Sequence, residues 1–297
     1  MWLIVHNPTA GTHHTQWRAR RAIRLLQERA PSVRVEVPGS ASDTMQMVRQ
    51  AIETGVERVI ACGGDGTAGA VAHALVGSTV PLGILPAGTT NVLALECGMP
   101  FGVVRAARRL LGPVRERQFR TWNTPYGTLI LALGVGLDAR LMRRTPPRLK
   151  RALGLGAVGV ASLREFATYD FPQLTVEVED ATGAVAVHEA TYVMVCNTKR
   201  YAGPIQAVPT ADPEDDELDV ILFQSTSRVR LVWFWARQPL PGSGHLQLAG
   251  VRHLRAHRFR IESRAGYEVD VHLNGDPCGV TPVDAVPGGT VRILAPL

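Results

Sequence analysis

Over its first hundred residues the chain alternates short runs of β-branched and other apolar residues with longer stretches whose apolar positions recur every three to four residues. The short runs predict strands near 2–6, 33–37, 57–62 and 81–85, and the longer ones predict helices near 14–29, 43–54, 67–76 and 91–97. Such alternation builds a mostly parallel sheet joined by crossover helices, whose ligand-binding loops gather at the carboxyl ends of the strands. From about Arg120 the rhythm changes. Strand-like segments at 129–133, 174–178, 190–196, 218–223, 259–262 and 267–273 are separated by turn residues, and helical periodicity is confined to about 148–167 and 227–237. This predicts a mainly antiparallel β-sandwich. A last strand-like run near 290–294 is expected to return to the first domain. The expected organisation is an α/β domain over 1–120, rejoined by a strand from about 284–297, and a β-rich domain over 121–283.

The totals fit that division. The chain has 297 residues, 45% hydrophobic and 20% charged, which exceeds the usual ~100–200 residues of one domain and describes an ordinary globular composition. No run approaches the ~18–20 apolar residues of a membrane helix, and no leader pattern precedes the opening strand, so a cytoplasmic protein is expected. The four cysteines, Cys62, Cys97, Cys196 and Cys278, form no C-x-x-C pair, which argues against a zinc site or a redox dithiol. The net charge of +6 suits a nucleotide, an anionic membrane or a nucleic acid. No nucleic-acid-binding module is recognisable, so nucleic acid is not an expected partner.

The strongest chemical signal is the segment 58–67, Arg-Val-Ile-Ala-Cys-Gly-Gly-Asp-Gly-Thr, where a hydrophobic strand runs into Gly63, Gly64, Asp65, Gly66 and Thr67 and then a helix. Glycines admit backbone amides to phosphate oxygens that a Cβ would hold off, and the following helix terminus favours the anion. Asp65 would be repelled by bare phosphates, so it implies a bridging Mg2+ or an acid–base role; the other reading is a tight turn with Asp65 capping the helix. A second loop, in residues 82–91, passes through Pro86 and Gly88 to Thr89 and Asn91, either of which suits a helix cap. A third, Asn7, Pro8, Thr9, Ala10 and Gly11, follows the opening strand.

In this order and spacing the three loops resemble the nucleotide-binding motifs of the diacylglycerol kinase catalytic domain, a family related in fold to the NAD kinases. The resemblance extends through Gly134, Gly136 and Asp138, through Asn197 and Gly203, through residues 212–220, and through 273–282. It implies an ATP-dependent lipid kinase, with residues 7–11, Gly63 and Gly64 to Thr67, Ala68, Gly69, Ala70, Gly88, Thr89 and Asn91 around the nucleotide, and Ser40 near a nucleotide-contacting position. It further implies Mg2+ near Asp65 and a structural metal held by Asp215 with the carbonyls of Leu218 and Val220. The base would be Asp276. A membrane lipid such as diacylglycerol would be the acceptor, reached by transient contact with an anionic membrane. A homodimer is left open.

Several residues depart from the family pattern. Asp216 stands where the family has a turn glycine, Asn274 where it has an aspartate, and Asp276 where it has a glutamate. His13 and His14 follow Gly11 where a basic residue is usual. Residues 212–219 carry six carboxylates, attractive to a hard cation but equally readable as a solvated acidic loop. Asn274-Gly275 favours a plain hairpin turn. The run Gly154, Gly156, Gly159 fits G-x-G-x-x-G but follows Lys150 and Arg151 instead of a strand, so it is set aside. Residues 231–235, Leu-Val-Trp-Phe-Trp, with Arg228, Arg230 and Arg237 nearby, read as a buried helix face or as an interfacial one. Two further functions stay open: an NAD kinase, and a catalytically weak lipid or nucleotide sensor.

Overall fold

The computed structural model describes residues 1–144, 164–203, 205–240, 242–264 and 266–297. Most of the helix expected at 148–167, and the glycine run at 154–159, lie outside the described residues. The chain divides into two compact units, one of residues 1–121 with 289–297 and one of residues 122–288.

The first unit opens with the strand-and-helix series the periodicity predicts: β1 (Trp2–His6), α1 (His13–Arg29), β2 (Val33–Glu36), α2 (Ala41–Glu53), β3 (Arg58–Gly63), α3 (Asp65–Leu75), β4 (Leu82–Pro86) and α4 (Val92–Glu96). A further helix, α5 (Val103–Leu110), has no counterpart among the elements expected from the sequence. Its Val103, Ala106, Ala107 and Leu110 are buried at helical spacing while the arginines point outward. The strands run parallel in the order β2-β1-β3-β4. Chain order and spatial order therefore part at β1: the next strand lies on one side of it and β3 on the other. The loops leaving β1 and β3 depart in opposite directions, which opens a crevice at their carboxyl ends. Leu3, Ile4, Val59, Ile60, Leu82 and Leu85 make the buried layer under the helices.

The second unit is a sandwich. After β5 (Val114–Thr124), which enters it with its last residues, come β6 (Gly127–Leu129), β7 (Ala132–Val135), α6 (Leu137–Arg144), β8 (Leu174–Glu179), β9 (Val185–Ala190), β10 (Tyr192–Cys196), β11 (Arg200–Ala202), β12 (Ile205–Gln206), β13 (Leu218–Phe223), α7 (Arg228–Arg237), β14 (Val251–Ala256), β15 (Arg258–Ser263), β16 (Asp270–Leu273), β17 (Asp276–Val280) and β18 (Val283–Pro296). One sheet runs β14-β13-β10-β7-β16-β17 and is antiparallel throughout. The other is built from β15, β8, β9 and the start of β18. Alternate residues of both sheets, among them Leu133, Val195, Val220 and Val271 on one and Val176, Ile261 and Val283 on the other, form a single core.

Residues facing the other way from the first sheet, Tyr192, Met194, Ile221 and Phe223, meet Leu231 and Phe234 of α7 in a second core. Both faces of that sheet are thus covered, which is why β10 and β13 are buried at every position. The last strand leaves the second unit after pairing Val283 and Ala285 with β15, and places Ile293 beside Leu82 of β4 in the first.

All four cysteines are free thiols, and three are buried. Burial pushes the Cys62 thiol up to about 12. Burial, with the charge of Asp276 added, pushes Cys278 up to about 11. A thiol near 11 is ionised to roughly one part in a thousand at pH 8. A disulfide reagent at pH 8 should therefore label the folded protein negligibly over minutes and all four thiols in guanidinium. Rapid uptake by the native protein would show a more open environment.

Candidate active site

The three glycine-bearing loops meet at the carboxyl edge of the parallel sheet. A Cβ on Gly88 would stand 2.5 Å from the Cα of Gly64 and 3.3 Å from its nitrogen. A Cβ on Gly11, whose φ is +70°, would run into the carbonyl oxygen of Ala87. Neither approach is open to another residue. A third link is polar: Asn7 Nδ2 donates to Thr67 Oγ1 at 3.2 Å across the crevice between the β1 and β3 loops.

Within each loop the side chains mainly shape the backbone. Asn7 Oδ1 accepts from the amide and hydroxyl of Thr9 at 3.0 and 2.8 Å, an Asx turn. Gln16 of α1 braces the same loop from behind, donating to the carbonyls of Asn7 and Ala10. Pro8 and Thr9 are exposed, as are His13 and His14 at the start of α1. Asn91, at φ 48°, folds back on Gly88, accepting from its amide and donating to its carbonyl, both at 2.8 Å. Thr89 is exposed at the tip.

The sequence allowed Asp65 to cap the helix it begins and Thr89 or Asn91 to cap the next. Instead Asp65 caps the neighbouring helix: Oδ1 accepts from Leu93 N at 3.1 Å and Oδ2 from Thr90 Oγ1 at 2.8 Å. Asn91 makes no side-chain capping bond to α4, and Gly64 leaves the α3 terminus without a side-chain cap. The amides opening α3 therefore have no competing side-chain acceptor at that cap, as an anion site requires. Gly66 is exposed there, while Ala68 is buried and Gly69 and Ala70 are partly exposed along α3. Thr90 and Gln16 went unnoticed in the sequence because a hydroxyl or amide with no glycine beside it carries no local signal. Ser40 lies apart from the glycine contacts, as the N-cap of α2, accepting from Asp43 N at 3.0 Å.

The Asp65 carboxylate and the Thr90 hydroxyl bonded to it offer oxygen donors only. Each Asp65 oxygen accepts one described bond and keeps a second lone-pair direction, so the set fits Mg2+ held by a single carboxylate and by phosphate oxygens.

In the second unit Asp276 begins β17, exposed, directly after a two-residue turn in which Asn274 and Gly275 both have positive φ. The hairpin expected of Asn-Gly is therefore present, but its asparagine is more than a turn residue. Asn274 Oδ1 accepts from the amides of Ile130 and Leu131 at 3.0 and 2.9 Å, and Nδ2 donates to Thr128 O at 2.7 Å. Asn197 holds the same segment from another strand end, donating through Nδ2 to Ile130 O at 2.7 Å. An aspartate at 274 would lack the donor to Thr128, which gives a physical reason for the asparagine. Beneath the hairpin Asp138, Tyr201 and His272 form a buried hydrogen-bonded cluster, with Tyr201 bonded to the carboxylate and His272 Nε2 at 2.9 Å from it. Gly134 is required there, since a Cβ would overlap both Asp138 and His272.

At Asp215, where a structural metal was expected, the described neighbour is an arginine. Asp215 Oδ2 lies 2.5 Å from Arg255, whose guanidinium also reaches Glu217 at 3.3 Å and Asp219 at 3.6 Å. Partial burial works against the charge of Arg255, but its hydrogen bond to Asp215 and the charges of Asp219, Asp215 and Glu217 raise its pKa. Leu218 and Val220 lie in β13, paired with Ala256 and Leu254 of β14. Among the described residues no three His, Cys, Asp or Glu side chains converge as a metal shell. An arginine thus lies beside the carboxylate at which the family resemblance implied a structural ion.

Two outcomes are expected. Asn274→Ala removes three hydrogen bonds and leaves a side chain with no local polar partner at positive φ, so urea unfolding should show a loss of about 2–3 kcal/mol. The thermal midpoint of the wild-type protein should be the same in EDTA as in millimolar Mg2+ or Ca2+; a drop of several degrees in EDTA would restore a structural metal.

Comparison with known proteins extends the same picture over the whole chain. Residues 1–119 match the diacylglycerol kinase catalytic domain. Residues 132–295, more than half of the chain, match the YegS C-terminal NAD kinase beta sandwich-like domain. A diacylglycerol kinase of Mycobacterium tuberculosis is 28% identical over 303 residues, covering 98% of this chain and 93% of that protein. A probable YegS-like lipid kinase of Chromohalobacter salexigens is 28% identical over 284 residues, covering 93% and 86%. In fold, a diacylglycerol kinase structure from Bacillus anthracis superposes with a TM-score of 0.73 at 18% identity, covering 98% of this chain and 95% of that one. The chain belongs to the lipid kinase family in which a diacylglycerol kinase catalytic domain is followed by a YegS-type sandwich.

Proposed function

We propose that the chain transfers the γ-phosphoryl group of ATP to the hydroxyl of a membrane lipid, with diacylglycerol as the first acceptor to test. The observation that carries this reading is the glycine-mediated joining of three loops over the amino terminus of α3. Residues 7–11, 63–70 and 88–91 bind the triphosphate largely through backbone groups, which suits a reaction whose catalysis is mostly positioning and charge neutralisation. Mg2+, when bound with the nucleotide beside Asp65, supplies charge neutralisation at the phosphate oxygens. Ser40 is assigned to the edge of the nucleotide site.

Asp276 takes the proton. As the acceptor oxygen bonds to the γ-phosphorus, the bond from that phosphorus to the β,γ-bridging oxygen breaks, ADP leaves, and the hydroxyl proton passes to the Asp276 carboxylate. The support for this role is positional: the exposed carboxylate sits on a hairpin fixed by Asn274, so its location is set by the sandwich and not by a loose loop. No helix among the described residues is long and apolar enough to cross a membrane; on this reading the enzyme works in the cytoplasm and meets its substrate at the membrane surface.

The test is incubation with labelled ATP, Mg2+ and extracted membrane lipids. Label should enter the organic phase, and Asp276→Asn should slow transfer by about a hundredfold or more while binding of a fluorescent ATP analogue is unchanged. Full activity in that variant would remove Asp276 from the mechanism. Label on NAD, with none on lipid, would make the chain an NAD kinase.

A further inference from the structure

Helix α7 is apolar on two faces, and only one of them is covered. Leu231 and Phe234 are fully buried against the sheet, and Ser227 caps the amino end by accepting from Arg230 N. On the outside Val229 is 67% exposed, Val232 47%, Trp233 57% and, just past the helix, Leu240 59%. Val229, Val232, Trp233 and the exposed Ala236 follow the i, i+3, i+4, i+7 spacing of one stripe on the helix, and Leu240 lies beyond its end. The aromatic run read in the sequence as either buried or interfacial is both: Phe234 points in and Trp233 points out.

The charges that α7 itself carries are of one sign: residues 228–237 contain three arginines and no aspartate or glutamate. On α7 itself Arg228, Arg230 and Arg237 are exposed, and the Arg237 guanidinium lies 5.7 Å from the centre of the Trp233 ring. A second copy of the chain would bring arginines against arginines. An acyl-chain boundary beneath anionic headgroups accepts both parts: valine and leucine enter the apolar layer, tryptophan sits at headgroup level, and the arginines stay with the phosphates.

We propose that the outer face of α7 is a docking surface for an anionic lipid bilayer. The proposal rests on the lipid kinase reading above for its purpose, since an enzyme acting on a headgroup-level hydroxyl must settle on the membrane without spanning it. The geometry itself is independent of that reading, because the stripe needs only an apolar layer under negative charge. Every residue it uses is exposed, so substitutions there leave both cores of the sandwich intact.

Sedimentation of the full chain with vesicles of phosphatidylcholine and phosphatidylglycerol, in a ratio of about three to one, tests it. Wild-type protein should bind these vesicles, bind pure phosphatidylcholine weakly, and lose affinity as salt rises. Val232→Asp with Trp233→Asp should weaken binding by about tenfold or more, and Arg230→Glu with Arg237→Glu should remove the preference for the anionic lipid. Trp17→Asp, at another exposed tryptophan in α1, is the control. Unchanged binding in the α7 variants, equal loss in the control, or no wild-type binding overturns the proposal. Phosphorylation of a short-chain diacylglycerol dispersed in detergent separates the two readings. Activity there with no vesicle binding removes the surface alone, and α7-dependent vesicle binding without phosphorylation of any lipid removes the kinase acceptor alone.

Discussion

The contact between Gly64 and Gly88 is the constraint on which the first unit depends. Two loops leaving adjacent strands touch backbone to backbone, so their amides and carbonyls, with no side chains between them, define the surface a ligand meets. Everything nearby is arranged around that contact. Asn91 adopts a left-handed conformation to close on Gly88, and Asp65 turns away from its own helix to hold the next one. Asn7 and Gly11 set the third loop against the other two, and Gln16 braces it from behind. The strand order makes this possible, since the β1 and β3 loops separate at the sheet edge and leave room for a ligand.

The second unit reaches rigidity by a different route. Its central sheet is buried on both faces, and several polar groups that interrupt the apolar strands are tied down by named partners. Asn197 and Asn274 hold residues 130 and 131 from two sides, while Arg255 gathers three carboxylates that would otherwise repel one another. Using a side-chain cation there ties the charge balance of these carboxylates to folding of β14.

Much of this was legible in the sequence. Period-two and period-3.6 patterns located the main strands and helices because burial imposes those periods, and the glycine motifs were visible because only glycine permits such close approach. What escaped did so for identifiable reasons. Helix α5 has apolar residues at 103, 106, 107 and 110, but its arginines dominated the reading. The early part of β5 is largely solvated and charged, so it lacks an apolar signature. Arg255 meets Asp215 only after β13 and β14 pair, a long-range fact with no local trace. The same holds for the Thr90–Asp65 bond and for Asn274, whose partners lie more than 140 residues earlier in the chain.

The path of β18 carries a consequence for how the protein is made. Its first residues pair with β15, and its last complete the sheet beside β4. On the ribosome, β1 to β4 emerge early, yet their final neighbour is synthesised only after the whole sandwich. Until then β4 presents an open edge, the kind of surface to which stray strands add. The nascent first unit therefore has a window of vulnerability set by translation time, and chaperone occupancy or slow synthesis should bear on yield more than the stability of the finished protein would suggest.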